Sequence, residues 1–207
     1  MKVLYIGGTG EISHACVAEA LRAGHQVTVF NRGLREQVLP AGVKSIVGDF
    51  SDDATYRSLA SHQFDVVCQF LAFTPEHVQR DIDVFQASCA QYIFISTASA
   101  YEKPAFRGGP GSHIIDENTP LFNPHWAYSR SKAACEARLL DAHAAGSLPV
   151  TIVRPSHTYR SRFPSAIIDG NHFAWRVLQN KPVLVHGDGE SLWALTHASD
   201  FARAFVA

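Results

Sequence analysis

The chain has 207 residues, 46% of them hydrophobic, which is enough for one sizeable core without disulfide or metal staples. Eighteen Lys and Arg face nineteen Asp and Glu, for a formal net charge of -1. There is therefore no basic field to hold nucleic acid or an anionic membrane. No apolar run reaches membrane-spanning length, and the N-terminus reads as a strand rather than a leader, so a cytoplasmic protein is expected. Cys16, Cys68, Cys89 and Cys135 lie far apart with no CxxC pair and read as reduced thiols, three of them in apolar patterns.

Residues 2–6 form an unbroken apolar run of strand formers, as a strand buried on both faces requires. Gly7-Gly8-Thr9-Gly10 then turns the chain, and from Ile12 the apolar residues take helical spacing, with Ile12, Cys16 and Ala20 in one row. Gly24 stops that helix and 26–30 resumes a strand. A glycine turn that follows a strand and opens a helix aims free amides and the positive end of the helix dipole at one point, which suits a phosphate.

Further on, 44–47 is a third strand ending at Gly48-Asp49, 51–61 a short polar helix and 64–73 a fourth strand. Thr74-Pro75 supplies an N-cap and a first-turn proline for a helix running to about Ala90. A fifth strand spans 91–97, a Gly- and Pro-rich loop 101–123, a helix 127–145 and a sixth strand 149–153. Strands alternating with helices at this rhythm predict an α/β fold, a doubly wound parallel sheet with helices on both faces. Its ligands bind at the carboxyl ends of the strands, where Gly7, Asn31, Asp49, Ala72 and Thr97 fall.

Two constellations carry chemistry. At the end of the second strand, a carboxylate would bind the ribose hydroxyls of NAD and repel a 2′-phosphate, but this chain has Asn31-Arg32-Gly33. Asn31 does not repel phosphate and Arg32 can pair with it, which favours NADP over NAD; the alternative is an Arg32 that is only a solvated surface charge. The second constellation is Tyr128-Ser-Arg-Ser-Lys132 with Ser96-Thr97. Four residues apart on a helix, the Lys132 ammonium and the Tyr128 phenol are neighbours, and the cation is expected to lower the phenol's pKa toward working pH. Tyr128 then serves as general acid/base for a carbinol–carbonyl pair, with the Thr97 hydroxyl holding the substrate oxygen. The eleven histidines show no HxH or HxxxH spacing, and no metal site is expected.

These motifs together resemble the extended short-chain dehydrogenase/reductase superfamily, in its NAD-dependent epimerase/dehydratase group. The resemblance covers the whole chain, through Gly7-x-x-Gly10-x-x-Ser13, Gly48-Asp49, Leu71-Ala72, Ile95-Ser96-Thr97 with Tyr101, Tyr128-x-x-x-Lys132, Arg154-Pro155 and Leu195-Thr196-His197-Ala198-Ser199-Asp200. It implies a Rossmann-like fold over 1–154 and a small, incomplete substrate-binding part over 155–207, with 194–207 returning to the core. It implies Thr97, Tyr128 and Lys132 as catalytic residues, and a cofactor site of Gly7, Thr9, Gly10, Glu11, Ile12, Asn31, Arg32, Asp49, Phe50, Leu71, Ala72, Lys132, Pro155 and His157. Ser99, Tyr101 and Trp193 are the implied substrate contacts.

Three departures stand out. Ser13 replaces the last glycine of the turn. Trp193 stands where nucleotide-sugar epimerases commonly carry an Arg that grips the diphosphate, with Arg160, Arg162 and Arg176 as candidate substitutes. The sequence ends at Ala207, early in a helix beyond which the family usually continues. The expected function is an NAD(P)-dependent epimerase, dehydratase or reductase acting on a secondary alcohol or carbonyl of a sugar-like or nucleotide-sugar substrate, as a homodimer. The alternative is a non-catalytic dinucleotide sensor or RNA-associated protein akin to the chloroplast stem-loop-binding proteins. The neutral charge count and the intact Thr97, Tyr128 and Lys132 set favour the enzyme, and no nucleic acid partner is expected.

Overall fold

The computed structural model describes residues 1–34, 39–102, 115–165, 170–189 and 193–207. Six parallel strands form one sheet in the order β3-β2-β1-β4-β5-β6, made of β1 (Lys2–Ile6), β2 (Gln26–Asn31), β3 (Lys44–Val47), β4 (Phe64–Gln69), β5 (Cys89–Ile95) and β6 (Val150–Val153). Ile6 pairs with both Phe30 and Gln69, so the carboxyl ends of the three central strands lie level. A two-stranded parallel ribbon, β7 (His157–Tyr159) with β8 (Leu195–His197), stands apart from the main sheet.

The helices divide between the faces, as the apolar runs of the central strands require. On one face lies α1 (Ser13–Arg22), whose Cys16, Val17 and Ala20 share a core cluster with Val3, Tyr5, Val27 and Val29. The last helix, α6 (Ala198–Val206), joins that cluster through Ala202. The other face takes α2 (Asp53–Arg57), α3 (Pro75–Phe85) and α4 (Ala127–Ala144), over a core of Leu4, Ile6, Phe30, Tyr56, Phe85, Phe94 and Leu139. The remaining helix, α5 (Gly170–Leu178), precedes β8. Among the described residues no helix is long and apolar enough to cross a membrane. All four cysteines are free; Cys16, Cys68 and Cys135 are buried, and burial pushes the Cys16 and Cys135 thiols up to about 12.

Some expected boundaries shift. The fourth strand stops at Gln69 instead of running to Phe73, because the Gln69 side chain accepts from the Leu71 amide (2.7 Å) and turns the chain out of the sheet. Helix α3 ends at Phe85, and Cys89 already pairs with Phe64, so the fifth strand takes residues the apolar spacing gave to the helix. The polar helix over 51–61 resolves into α2, capped by Asp52, and a 3-10 turn over Ser58–Ser61. The Thr74 cap forms as expected, its hydroxyl accepting from the His77 amide. Residues 103–114 of the long loop lie outside the described residues.

A buried polar cluster locks the site-bearing elements together. Asp81 of α3 is fully buried and accepts hydrogen bonds from Tyr56, Tyr92 and Gln69. Burial pushes its carboxyl above the usual range. Through Gln69 this cluster also fixes the turn after β4.

Candidate active site

A cleft of about 950 Å³ runs along the carboxyl ends of the strands, near the top of the ~300–1,000 Å³ range of small-molecule sites. It opens where α1 and α3 leave the sheet on opposite faces, the switch point of a doubly wound fold.

At one end lies the glycine turn. Gly7 has φ +87°, and a Cβ there would meet the Leu71 side chain at 2.7 Å, so only glycine fits. Gly8 is equally tight, with Val29 at 2.7 Å. Thr9, Gly10, Glu11 and Ile12 line the cleft, and α1 starts with Ile12 at its cap and no side chain capping the amides. Ser13 does more than fill space: buried under the turn, its Oγ accepts from the Gly10 amide (3.0 Å). Glu11 carries a carboxylate at this positive end, tied to the Ser161 N–H and hydroxyl (both 3.2 Å).

Next along the cleft come Asn31, Arg32, Asp49 and Phe50. The Gly33 amide donates to Asn31 Oδ1 (2.7 Å), which fixes the orientation of the side-chain amide and leaves Asn31 Nδ2 as a buried donor without a partner. The Ser51 hydroxyl and amide hold the Asp49 carboxyl below the usual range, with Arg32 adding to the effect. Leu71 lines the cleft, whereas Ala72 is fully buried and contributes its carbonyl.

At the far end are Thr97, Tyr128 and Lys132, with Pro155 and His157 opposite. Lys132 is 2% exposed, its ammonium donating to the Ala72 and Ile95 carbonyls (2.7 Å each) and lying over the Phe73 and Phe94 rings. Burial pulls its pKa down to about 8. The expected lowering of the Tyr128 phenol by Lys132 is corrected here: burial raises that phenol, and the Thr97 hydroxyl, not the lysine, opposes the shift. The ammonium is drawn inward by two carbonyls that helical spacing alone does not reveal.

None of the three expected substrate contacts lines the cleft. Tyr101 is buried, its hydroxyl accepting from Arg154 (2.8 Å), because the 3-10 turn over Ala98–Ala100 swings the chain inward after Thr97. Ser99 instead bridges Thr97 Oγ1 (2.9 Å) and Ser129 Oγ (2.8 Å), a short hydroxyl chain that orients Thr97 from α4. Trp193 lines a separate, smaller cavity that shares His157 with the cleft. Of the candidate arginines, neither Arg160, Arg162 nor Arg176 lines either cavity.

Other lining residues were not singled out in the sequence: Phe73, His77, Ser156 and Thr158. His77 could have been found, since Thr74-Pro75 puts the first turn of α3 beside the end of β4. Its Nδ1 accepts from the Phe73 amide (3.2 Å), and burial holds the ring below the usual histidine pKa, so it is a neutral donor through Nε2.

A six-stranded 3-2-1-4-5-6 parallel sheet with a glycine turn and a Thr, Tyr and Lys set on one carboxyl-edge cleft defines the Rossmann-like class of α/β proteins. More narrowly, the chain belongs to the NAD dependent epimerase/dehydratase family, whose model matches residues 3–207. It is 25% identical to 2'-dehydrokanamycin reductase of Streptomyces kanamyceticus, over all of this chain but 57% of that protein. It is 29% identical to UDP-glucose 4-epimerase of Lactobacillus helveticus, over 74% of this chain and 51% of that one. The UDP-glucuronic acid 4-epimerase of Bacillus cereus, solved with UDP-glucuronic acid and NAD, superposes with a TM-score of 0.76 at 20% identity, covering 100% of this chain and 72% of that one. The chain thus spans little more than half the length of these two curated relatives, whose family comprises epimerases, dehydratases and reductases.

Proposed function

We propose that the chain carries the dinucleotide site and the acid/base residues of an enzyme that interconverts a secondary alcohol and a carbonyl on a sugar-like substrate. The observation that carries this reading is that one cleft joins the glycine turn to Thr97, Tyr128 and Lys132. Relatives named for UDP-glucose and 2'-dehydrokanamycin support the sugar-like substrate. In this reading residues 1–154 form the cofactor-binding domain and 155–207 a partial substrate-binding region whose 194–207 return to the core, and two copies pair through α3 and α4, which light scattering reads as twice 22.7 kDa.

The residues present fit a nicotinamide dinucleotide. The uncapped start of α1 suits its diphosphate. Asn31 Nδ2 is a buried donor in need of an acceptor, which a ribose oxygen or a 2′-phosphate supplies. With Arg32 beside it and no carboxylate at that strand end, NADP is favoured over NAD. Asp49, Phe50 and Leu71 would flank the adenosine, and Pro155 and His157 the nicotinamide. Lys132 has two of its three N–H bonds on carbonyls, leaving one for a ribose hydroxyl.

The bound cofactor supplies the hydride acceptor or donor. Tyr128 takes the hydroxyl proton when the alcohol is oxidised and returns it when the ketone is reduced, while the Thr97 hydroxyl holds the oxygen. Burial raises the phenol above its usual range, so the resting side chain is a proton donor. Tyr128→Phe removes only that proton and should lower turnover by at least about a hundredfold with cofactor affinity unchanged. Stopped-flow absorbance of the reduced nicotinamide reads turnover, and fluorescence titration reads affinity. Undiminished turnover would reject the assignment.

A further inference from the structure

The smaller cavity, about 220 Å³, has room for one substituted ring, and part of its wall is fixed by the β7–β8 ribbon. His157 begins β7 and pairs with Leu195 of β8, and the Ser156 hydroxyl donates to the Ala194 carbonyl (3.0 Å). These bonds hold Trp193 beside His157, their rings edge to face at 5.9 Å. His186 stacks on the indole, 5.5 Å away and 16° from parallel. Phe173, Leu184 and Val185 supply apolar lining, and no Lys, Arg, Asp or Glu is among the described residues that line it.

We propose that this cavity is a subsite for an uncharged ring, the part of a phosphate-free glycoside that extends past the reacting carbon. The proposal rests on the reading that the main cleft takes a dinucleotide and a sugar-like substrate. Because His157 lines both the cleft and this cavity, an occupant here would neighbour whatever sits before Tyr128. The lining chooses its chemistry. A diphosphate placed here would lose hydration without a guanidinium, ammonium or amide cradle to replace it. A sugar ring instead presents a flat C–H face, for which a half-exposed indole braced by two imidazoles is a suitable platform.

Calorimetric titration of the chain, with and without NADPH, tests this with phenyl β-D-glucopyranoside, uridine and UDP as probes. The glycoside should bind, Trp193→Ala should weaken it about tenfold, and Trp193→Phe should restore most of the loss, since it keeps an aromatic face. UDP should bind no more tightly than uridine. The proposal is overturned if Trp193→Ala leaves glycoside affinity unchanged, if no glycoside binding is seen, if uridine binds more tightly than the glycoside, or if UDP exceeds uridine tenfold. NADPH fluorescence in the same samples keeps the two readings apart. Trp193-dependent glycoside binding without any NADPH binding would sink the dinucleotide reading and leave the subsite standing.

Discussion

At the scale of single residues, the proposed chemistry turns on two side chains. Asn31 faces the cleft with an unpaired donor where a carboxylate would select against a 2′-phosphate. Asn31→Asp replaces that donor with an anion, and the expected result is an NADP affinity reduced about tenfold or more with NAD affinity unchanged or improved. Competitive titration against NADPH fluorescence measures it, and an unaltered preference contradicts the role given to Asn31. Lys132 makes a second, pH-dependent prediction. Its folded pKa of about 8 lies below the unfolded value of 10.5, so between those pH values the unfolded chain binds more protons and stability rises with pH. The shift corresponds to on the order of 3 kcal/mol. The stability difference between wild type and Lys132→Met, from urea unfolding, should grow by about that amount from pH 7.5 to 10.5. A flat difference means the ammonium is not buried.

These residue identities were legible in the sequence; their environments were not. The four-residue spacing of Tyr128 and Lys132 correctly puts both on the cleft, yet says nothing of the strand-end carbonyls of Ala72 and Ile95 that capture the ammonium. Tyr101 shows the same limit. The family resemblance implied a substrate contact there, but one turn of 3-10 helix is enough to send it into the core against Arg154.

At the scale of elements, α4 is the part that must be held still, because it carries Tyr128, Ser129 and Lys132 together. A buried ion pair does this. Glu136 of α4 is fully buried and receives Arg154 from just beyond β6 through Nε (3.0 Å) and Nη2 (2.6 Å), as well as the Ser96 hydroxyl. The partner carboxylate and the Tyr101 hydroxyl raise the already high Arg154 pKa further. Glu136→Ala leaves that guanidinium without its carboxylate and should cost about 3–5 kcal/mol, read by urea or thermal unfolding. A loss under about 1 kcal/mol would show that the pair does not anchor the helix. Sequence patterning found α3 because its amphipathic spacing and the Thr74-Pro75 cap are local signals. It missed the early stop of β4 because that stop is made by one side-chain hydrogen bond, from the Leu71 amide to Gln69.

For the whole molecule, function follows from how the sheet is wound. Level strand ends at Ile6, Phe30 and Gln69, with α1 on one face and α3 on the other, leave a crevice lined by the glycine turn, Thr97, Tyr128 and Lys132. That architecture was readable from the alternation of strands and helices along the chain. The ribbon of β7 and β8 was not, since two three-residue strands 38 residues apart (157 to 195) leave no periodic trace. Yet it is this ribbon that brings His157 and Trp193 together.

The most direct measurement is a crystal structure of the chain soaked with NADP. The account predicts the diphosphate on the amides between Gly7 and Ile12, the adenosine ribose at Asn31, and the nicotinamide ring in contact with Tyr128. A dinucleotide that stays out of the cleft, or binds with its nicotinamide remote from that phenol, would contradict it.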